Sequence, residues 1–89
     1  MGGEPLCEEN LFLTNLVISH IREKVPGVKV YVWTGFLYEN LLKKSNPHLQ
    51  KILELTDVLI DGPYIEELRD ITLPMRGSSN QRVINLTKE

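Results

Sequence analysis

Val28-Lys29-Val30-Tyr31-Val32-Trp33, followed at once by Thr34-Gly35, is the stretch that decides the fold. Its β-branched and aromatic residues alternate, so Val28, Val30 and Val32 share one face of a strand that Thr34-Gly35 ends. Tyr31 and Trp33 are read as strand residues packing under a helix. Upstream, from Pro5 to Lys24, Leu13, Leu16, Val17 and Ile21 recur at three and four residues and predict a helix buried on that face. Pro5 suits its first turn, Glu8 and Glu9 lie at the positive end of its dipole and Arg22 and Lys24 at the negative end, and Pro26-Gly27 stops it. Downstream, Phe36, Leu37, Leu41 and Leu42 predict a helix to Lys43 or Lys44, and Asn46-Pro47 caps and opens another whose apolar stripe is Leu49, Ile52 and Leu53. Val58-Leu59-Ile60, bounded by Asp57 and by Asp61-Gly62-Pro63, has the composition of a buried parallel strand. Helix, strand, helix, helix, strand is an α/β order. Beyond Pro63, Tyr64 to Leu68 reads as one helical turn or an irregular segment. Ile71 to Met75 and Val83 to Leu86 are short β-type runs, giving either a terminal hairpin or a loop into a last strand.

The 89 residues suit one small domain or a piece of a larger one, and 14 Leu, 7 Val and 7 Ile supply a core, although there is no Ala. A formal charge of -2 with interspersed signs argues against nucleic-acid binding driven by bulk charge. The single cysteine, Cys7, cannot form an internal disulfide or by itself hold a zinc or iron–sulfur site, and its isolation suits a reducing, cytoplasmic setting. The longest near-apolar run, Leu11 to Ile18, is broken by Thr14 and Asn15 and falls short of the roughly 20 residues of a membrane span. Met1-Gly2-Gly3-Glu4-Pro5 has no basic lead into an apolar stretch, so no signal peptide is expected.

In α/β folds, ligands collect at the carboxyl ends of strands and at helix N-termini. Three segments have that address: Gly2-Gly3-Glu4-Pro5, Thr34-Gly35 and Asp61-Gly62-Pro63. Gly2 and Gly3 allow close backbone approach and Glu4 offers a carboxylate for an ammonium group; the alternative is a plain lead into the helix. Thr34 could serve a ligand or cap the next helix, and Asp61 could serve a ligand or a turn. Arg76-Gly77-Ser78-Ser79-Asn80-Gln81-Arg82 brackets a set of donors with two guanidinium groups, suited to a carboxylate, phosphate or extended backbone, or else forms a solvated loop tip. It lacks the Gly-Lys-Ser/Thr ending of a phosphate-binding P-loop. His20 and His48 are isolated and read as structural or surface residues.

In their order, Gly2-Gly3-Glu4-Pro5-Leu6, Val30-Tyr31-Val32-Trp33-Thr34-Gly35-Phe36, Asp57 to Ile65 and Arg76 to Arg82 resemble the C-terminal part of the anaerobic ribonucleoside-triphosphate reductase activating proteins, radical S-adenosylmethionine enzymes. The likeness runs from Gly2 to about Leu86. It implies an α/β fold, a partial (βα) barrel of the radical-SAM type over residues 1–89, incomplete at its N-terminal side, with a short terminal β segment or hairpin. It implies S-adenosylmethionine and a [4Fe–4S] cluster as the family's cofactors, and the reductase, which receives a glycyl radical, as partner. Gly2, Gly3, Glu4, Thr34 and Asp61 then match S-adenosylmethionine-binding positions. Arg76, Ser78, Ser79, Asn80, Gln81 and Arg82 match a substrate or partner contact. The family's three-cysteine cluster motif lies upstream of the Gly-Gly-Glu-Pro segment, and Cys7 corresponds to none of its ligands. The expectations are a C-terminal fragment that holds no cluster and is inactive alone, with an exposed sheet edge that invites self-association. The alternative is a non-enzymatic α/β module that pairs with the reductase or with itself.

Overall fold

The computed structural model describes residues 4–86. A 3-10 turn, Glu8–Asn10, leads into helix α1, Leu11–Lys24; strand β1, Tyr31–Trp33, follows, then α2, Tyr38–Leu42, α3, Pro47–Leu55, and β2, Val58–Asp61. After a second 3-10 turn, Glu66–Leu68, the described chain ends in β3, Arg82–Asn85. The sheet order is β1-β2-β3. β1 and β2 are parallel with Val32 opposite Leu59, and β2 and β3 are antiparallel with Ile60 opposite Val83 and Asp61 opposite Arg82. The expected α/β order therefore stands, and the tail forms a loop into a last strand.

The chain between β1 and β2 carries α2 and α3, the crossover that a parallel pair requires. α3 starts where its sequence says: the Asn46 side chain accepts from the His48 and Leu49 amides at 2.9 and 3.3 Å, Pro47 fills the first turn, and Leu49 and Ile52 are buried. The core gathers Leu6, Leu11, Ile18, Val32, Leu41, Leu49, Ile52 and Leu59 between the helices and one face of the sheet. Arg22 ties α1 to the starts of both parallel strands. It donates to the Leu55 carbonyl at 2.7 Å and to the Asp57 carboxylate at 2.7 Å, and that carboxylate accepts the Val30 amide at 2.7 Å.

Four local expectations are corrected. The first helix begins at Leu11 instead of Pro5, because the Glu4 carboxylate and carbonyl accept the Leu6 amide and the Asn10 side chain and form a separate turn. Its buried residues are Leu11 and Ile18, whereas Leu13, Leu16, Val17 and Ile21 are exposed. Apolar residues surround this helix, and period alone cannot choose between two apolar faces; contact with α3, through Asn15 to His48 at 3.2 Å, turns the Leu11 face inward. Tyr31 and Trp33 lie away from the helices, partly exposed and stacked with centroids 6.4 Å apart. Ile71 to Met75 makes no strand, since Asp70 accepts the Thr72 amide and hydroxyl at 3.0 and 2.6 Å and curls the chain into a turn.

Candidate functional site

Gly2 and Gly3 lie outside the described residues. Glu4 is described, and its carboxylate reaches across to the carboxyl end of β1. Oε2 accepts from the Thr34 hydroxyl at 2.6 Å and the Leu6 amide at 3.0 Å, and Oε1 accepts from the Gly35 amide at 2.6 Å. Thr34 is buried and its hydroxyl oxygen accepts the Phe36 amide at 3.1 Å, so it both holds Glu4 and shapes the turn into α2. A Cβ on Gly35 would stand 3.4 Å from Glu4 Oε1, in van der Waals contact with the carboxylate that its amide holds.

Glu4, Pro5, Trp33, Thr34, Gly35, Gly62, Tyr64 and Gln81 line one open cavity of about 340 Å³, at the small end of ligand pockets, which span roughly 300–1,000 Å³. Two of the three segments singled out by position, Glu4 and Thr34-Gly35, thus meet at the carboxyl ends of the parallel strands. From the third, Gly62 reaches the cavity with φ +102°, a left-handed conformation suited to glycine.

Asp61 does not line the cavity. It is fully buried, its Oδ1 accepting Arg82 Nε at 3.0 Å and its Oδ2 accepting Arg82 Nη2 and the Tyr38 amide, the latter at 2.8 Å. Arg82 also donates to both oxygens of Glu39, at 2.9 and 2.8 Å. The guanidinium's hydrogen bonds hold the Glu39 carboxyl down to about 2, and the two carboxylates hold the Arg82 guanidinium well above its usual value. This bridge joins the start of α2 to the end of β2.

Most of the Arg76 to Arg82 segment is engaged with the chain itself. Gln81 Oε1 accepts the Gly77 and Ser78 amides at 2.9 and 3.2 Å while its Nε2 donates to the Gly62 carbonyl at 2.9 Å. Ser78 is buried, its hydroxyl donating to Asn80 Oδ1 and accepting the Ile65 amide, and Asn80 Nδ2 donates to the Pro63 carbonyl. Arg76 Nη1 donates to the Gln81 carbonyl at 3.1 Å, and the Ser79 amide donates to the Leu68 carbonyl at 2.9 Å. Gly77 permits a close approach, since a Cβ there would sit 3.0 Å from the Tyr64 ring. The segment forms the wall of the cavity, and Gln81 is its cavity-facing member.

Sequence reading did not single out Trp33 or Tyr64 as cavity residues, nor Glu39 as a partner of Arg82. For Tyr64 and Glu39 no local pattern carries the signal, because each gains its role from a residue brought near by folding. Trp33 was legible as the residue just before a strand end.

Residues 1–84 match the model of a family described as a 4Fe-4S single cluster domain. The chain belongs to this 4Fe-4S single cluster domain family. It is similar to the anaerobic ribonucleoside-triphosphate reductase-activating protein of Escherichia coli strain K12, 36% identical over 85 residues that cover 96% of this chain and 53% of that protein. Proteins of the same name from Pasteurella multocida and Enterobacteria phage T4 are 33% and 32% identical, covering 98% and 92% of this chain and 54% and 48% of theirs. The chain spans about half the length of the curated relatives it matches. No solved structure matches it.

The family's cluster does not fit the donors present. A [4Fe–4S] cluster takes about four ligands, mostly thiolates, and this sequence has one cysteine. Cys7 is free and half-buried, and among the described residues no group of three or more His, Cys, Asp or Glu could hold a metal ion. Among the same residues no helix is long and apolar enough to cross a membrane.

Proposed function

We propose that the chain is the S-adenosylmethionine-facing part of an activase for anaerobic ribonucleoside-triphosphate reductase, built as part of a radical-SAM (βα) barrel and inactive by itself. The observation that supports this reading is the meeting of Glu4, Thr34-Gly35, Gly62 and Gln81 on one cavity at the carboxyl ends of two parallel strands. The parallel β1 and β2, joined through α2 and α3, are the repeating unit of such a barrel. S-adenosylmethionine brings an ammonium group, a carboxylate, a sulfonium and a purine. Glu4 supplies the complement of the ammonium. Trp33 and Tyr64, each 50% exposed at the cavity, supply aromatic faces for a purine or a sulfonium.

The cavity binds this ligand weakly. A carboxylate has about four acceptor sites, and Glu4 already receives three hydrogen bonds. One remains for an ammonium N–H. The cleavage chemistry of the family draws on the cluster these residues cannot ligate, so the chain's own part is to bind and orient the ligand. The reductase is the partner, and the exposed apolar surface is where larger assemblies form.

Calorimetric titration with S-adenosylmethionine tests the reading. The expected dissociation constant lies between about 100 μM and 1 mM, and Glu4→Gln removes the signal while far-UV dichroism is unchanged. A micromolar constant that survives Glu4→Gln would withdraw the Glu4 assignment, and no binding up to several millimolar would withdraw the ligand. A second reading, a non-enzymatic α/β module that pairs with the reductase or with itself, draws on the exposed apolar residues of α1.

A further inference from the structure

Ile71 stands 84% exposed, more than any other large apolar side chain among the described residues. The chain around it leaves it no freedom to turn inward. Asp70 accepts the Thr72 amide and hydroxyl on its carboxylate and the Leu73 amide on its carbonyl at 3.2 Å, which closes a tight turn around Ile71. Below the turn, the Asp70 amide donates to the Gly77 carbonyl at 3.1 Å and the Ser79 amide to the Leu68 carbonyl at 2.9 Å, so the two arms are tied to each other. Leu68 and Met75, one on each arm, are partly exposed as well. An apolar side chain carried on a loop already fixed in shape has the form of a binding anchor, because docking then orders little further chain.

The charges beside this anchor say what kind of surface fits it. Residues 66–71 hold three carboxylates, Glu66, Glu67 and Asp70, against one guanidinium, Arg69; their balance of -2 equals that of the whole chain, so the remainder is neutral overall. Glu66, Arg69, Asp70 and Ile71 line an open hollow of about 480 Å³. Within it Arg69 approaches Glu66 at 3.6 Å with both side chains more than half exposed, a weak pair that a second cation can replace. A Lys or Arg entering the hollow lays its stem along Ile71 and its charged head between two carboxylates. The complement is therefore a protein surface that is apolar at its centre and basic at its rim. A second copy is disfavoured here, because a two-fold contact sets this acidic turn against itself. Nucleic acid and anionic lipid are repelled by it.

The back of the same loop walls the cavity: Tyr64 lines it, and the Trp33 indole N–H donates to the Met75 carbonyl at 2.7 Å. A protein that is to be acted on by a ligand in that cavity has to be seated at its rim. We propose that residues 66–73 are the surface on which the reductase docks, with Ile71 as the apolar anchor and Glu66, Glu67 and Asp70 meeting basic side chains of the reductase. The identity of the partner rests on the activase reading above; the location and chemistry of the contact rest on this loop.

Biolayer interferometry of the 89-residue chain against purified anaerobic ribonucleoside-triphosphate reductase of the same organism, from 50 to 300 mM salt on the order of the physiological range, tests it. The wild type binds, and more weakly as salt rises. Ile71→Asp, at a position open to water, raises the dissociation constant at least about 30-fold with unchanged far-UV dichroism. Glu67→Lys, at an exposed position, raises it about three- to tenfold, chiefly by slowing association, and flattens the salt dependence. Wild-type binding indifferent to Ile71→Asp overturns the docking surface and leaves the activase reading in place. Binding that ignores both salt and Glu67→Lys overturns the acidic rim and the proposal with it. A wild type that does not bind the reductase at about 100 μM removes the partner itself, and so the activase reading from which it was taken.

Discussion

From Leu6 to Ile60 the chain is held by apolar side chains that meet between helices and sheet, and Leu49, Ile52, Leu59 and Ile60 are wholly withdrawn from water. From Gly62 to Gln81 the buried positions are Gly62 and Ser78, and amide, hydroxyl and carboxylate groups hold the backbone. Burial is non-directional and shared by many residues, so damage to the first region is felt throughout. Hydrogen bonds are local and directional, so damage to the second loosens a loop and leaves the sheet standing. The cavity lies where the two regions meet, with Thr34 and Gly35 from one and Tyr64 and Gln81 from the other.

The largest effect belongs to the apolar region. Leu59→Ala, in the middle of β2, is expected to cost about 2–5 kcal/mol of unfolding free energy, read from urea denaturation as one cooperative transition shifted downward. If only the loop loosened, the two regions would not differ as described.

Gln81→Ala is expected to act on a smaller scale, about 1–2 kcal/mol. It removes the acceptor of the Gly77 and Ser78 amides and the donor to the Gly62 carbonyl. Hydrogen exchange should quicken at Gly77 and Ser78 while the amides of Leu59 and Ile60 keep their protection. Equal acceleration at all four would make the polar region part of the same cooperative unit.

The smallest effect lies on the surface bridge. The Arg82 hydrogen bonds lower the Glu39 carboxyl from its ordinary 4.5 to about 2 in the folded chain. A carboxyl lowered by folding stabilises fully above its unfolded value and loses that contribution as pH falls through the folded one. The stability difference between wild type and Glu39→Gln should therefore be constant near neutrality and shrink as pH drops from about 4.5 towards 2. Both side chains are substantially exposed, so the difference is small and added salt shrinks it further. A difference independent of pH across that window would remove Glu39 from the bridge.

The same division governs what the sequence discloses. Asn46-Pro47, the run Val58 to Ile60 and the alternation ending at Trp33 are local signals of backbone geometry, and each names its element. The choice of face in α1 is not local: Leu13 and Leu16 are as apolar as Leu11 and Ile18, and the position of α3 decides between them. In the candidate site, Glu4 is legible in the glycine-rich lead into a helix and Thr34 at the end of a strand. The use of Asp61 and Arg82 on each other was not, since 21 residues separate them and each alone resembles a ligand-binding group. The amide of Gln81 reads as a surface donor until folding brings Gly62 and Gly77 within its reach.

Trp33 is the sole tryptophan of the sequence, and its indole N–H donates to the Met75 carbonyl at 2.7 Å. That bond spans 42 residues and joins β1 to the loop that walls the cavity. Met75 itself has φ +65°, unusual for a residue with a side chain, so the peptide group facing the indole is held in one orientation by the closed loop. The molecule thereby carries a built-in optical gauge. Undocking of the loop breaks that bond and opens the already half-exposed indole further to water, shifting its emission modestly to longer wavelength, while far-UV dichroism, dominated by α1 and α3, stays constant. Colour and helicity then report separately on the wall of the cavity and on the scaffold beneath it.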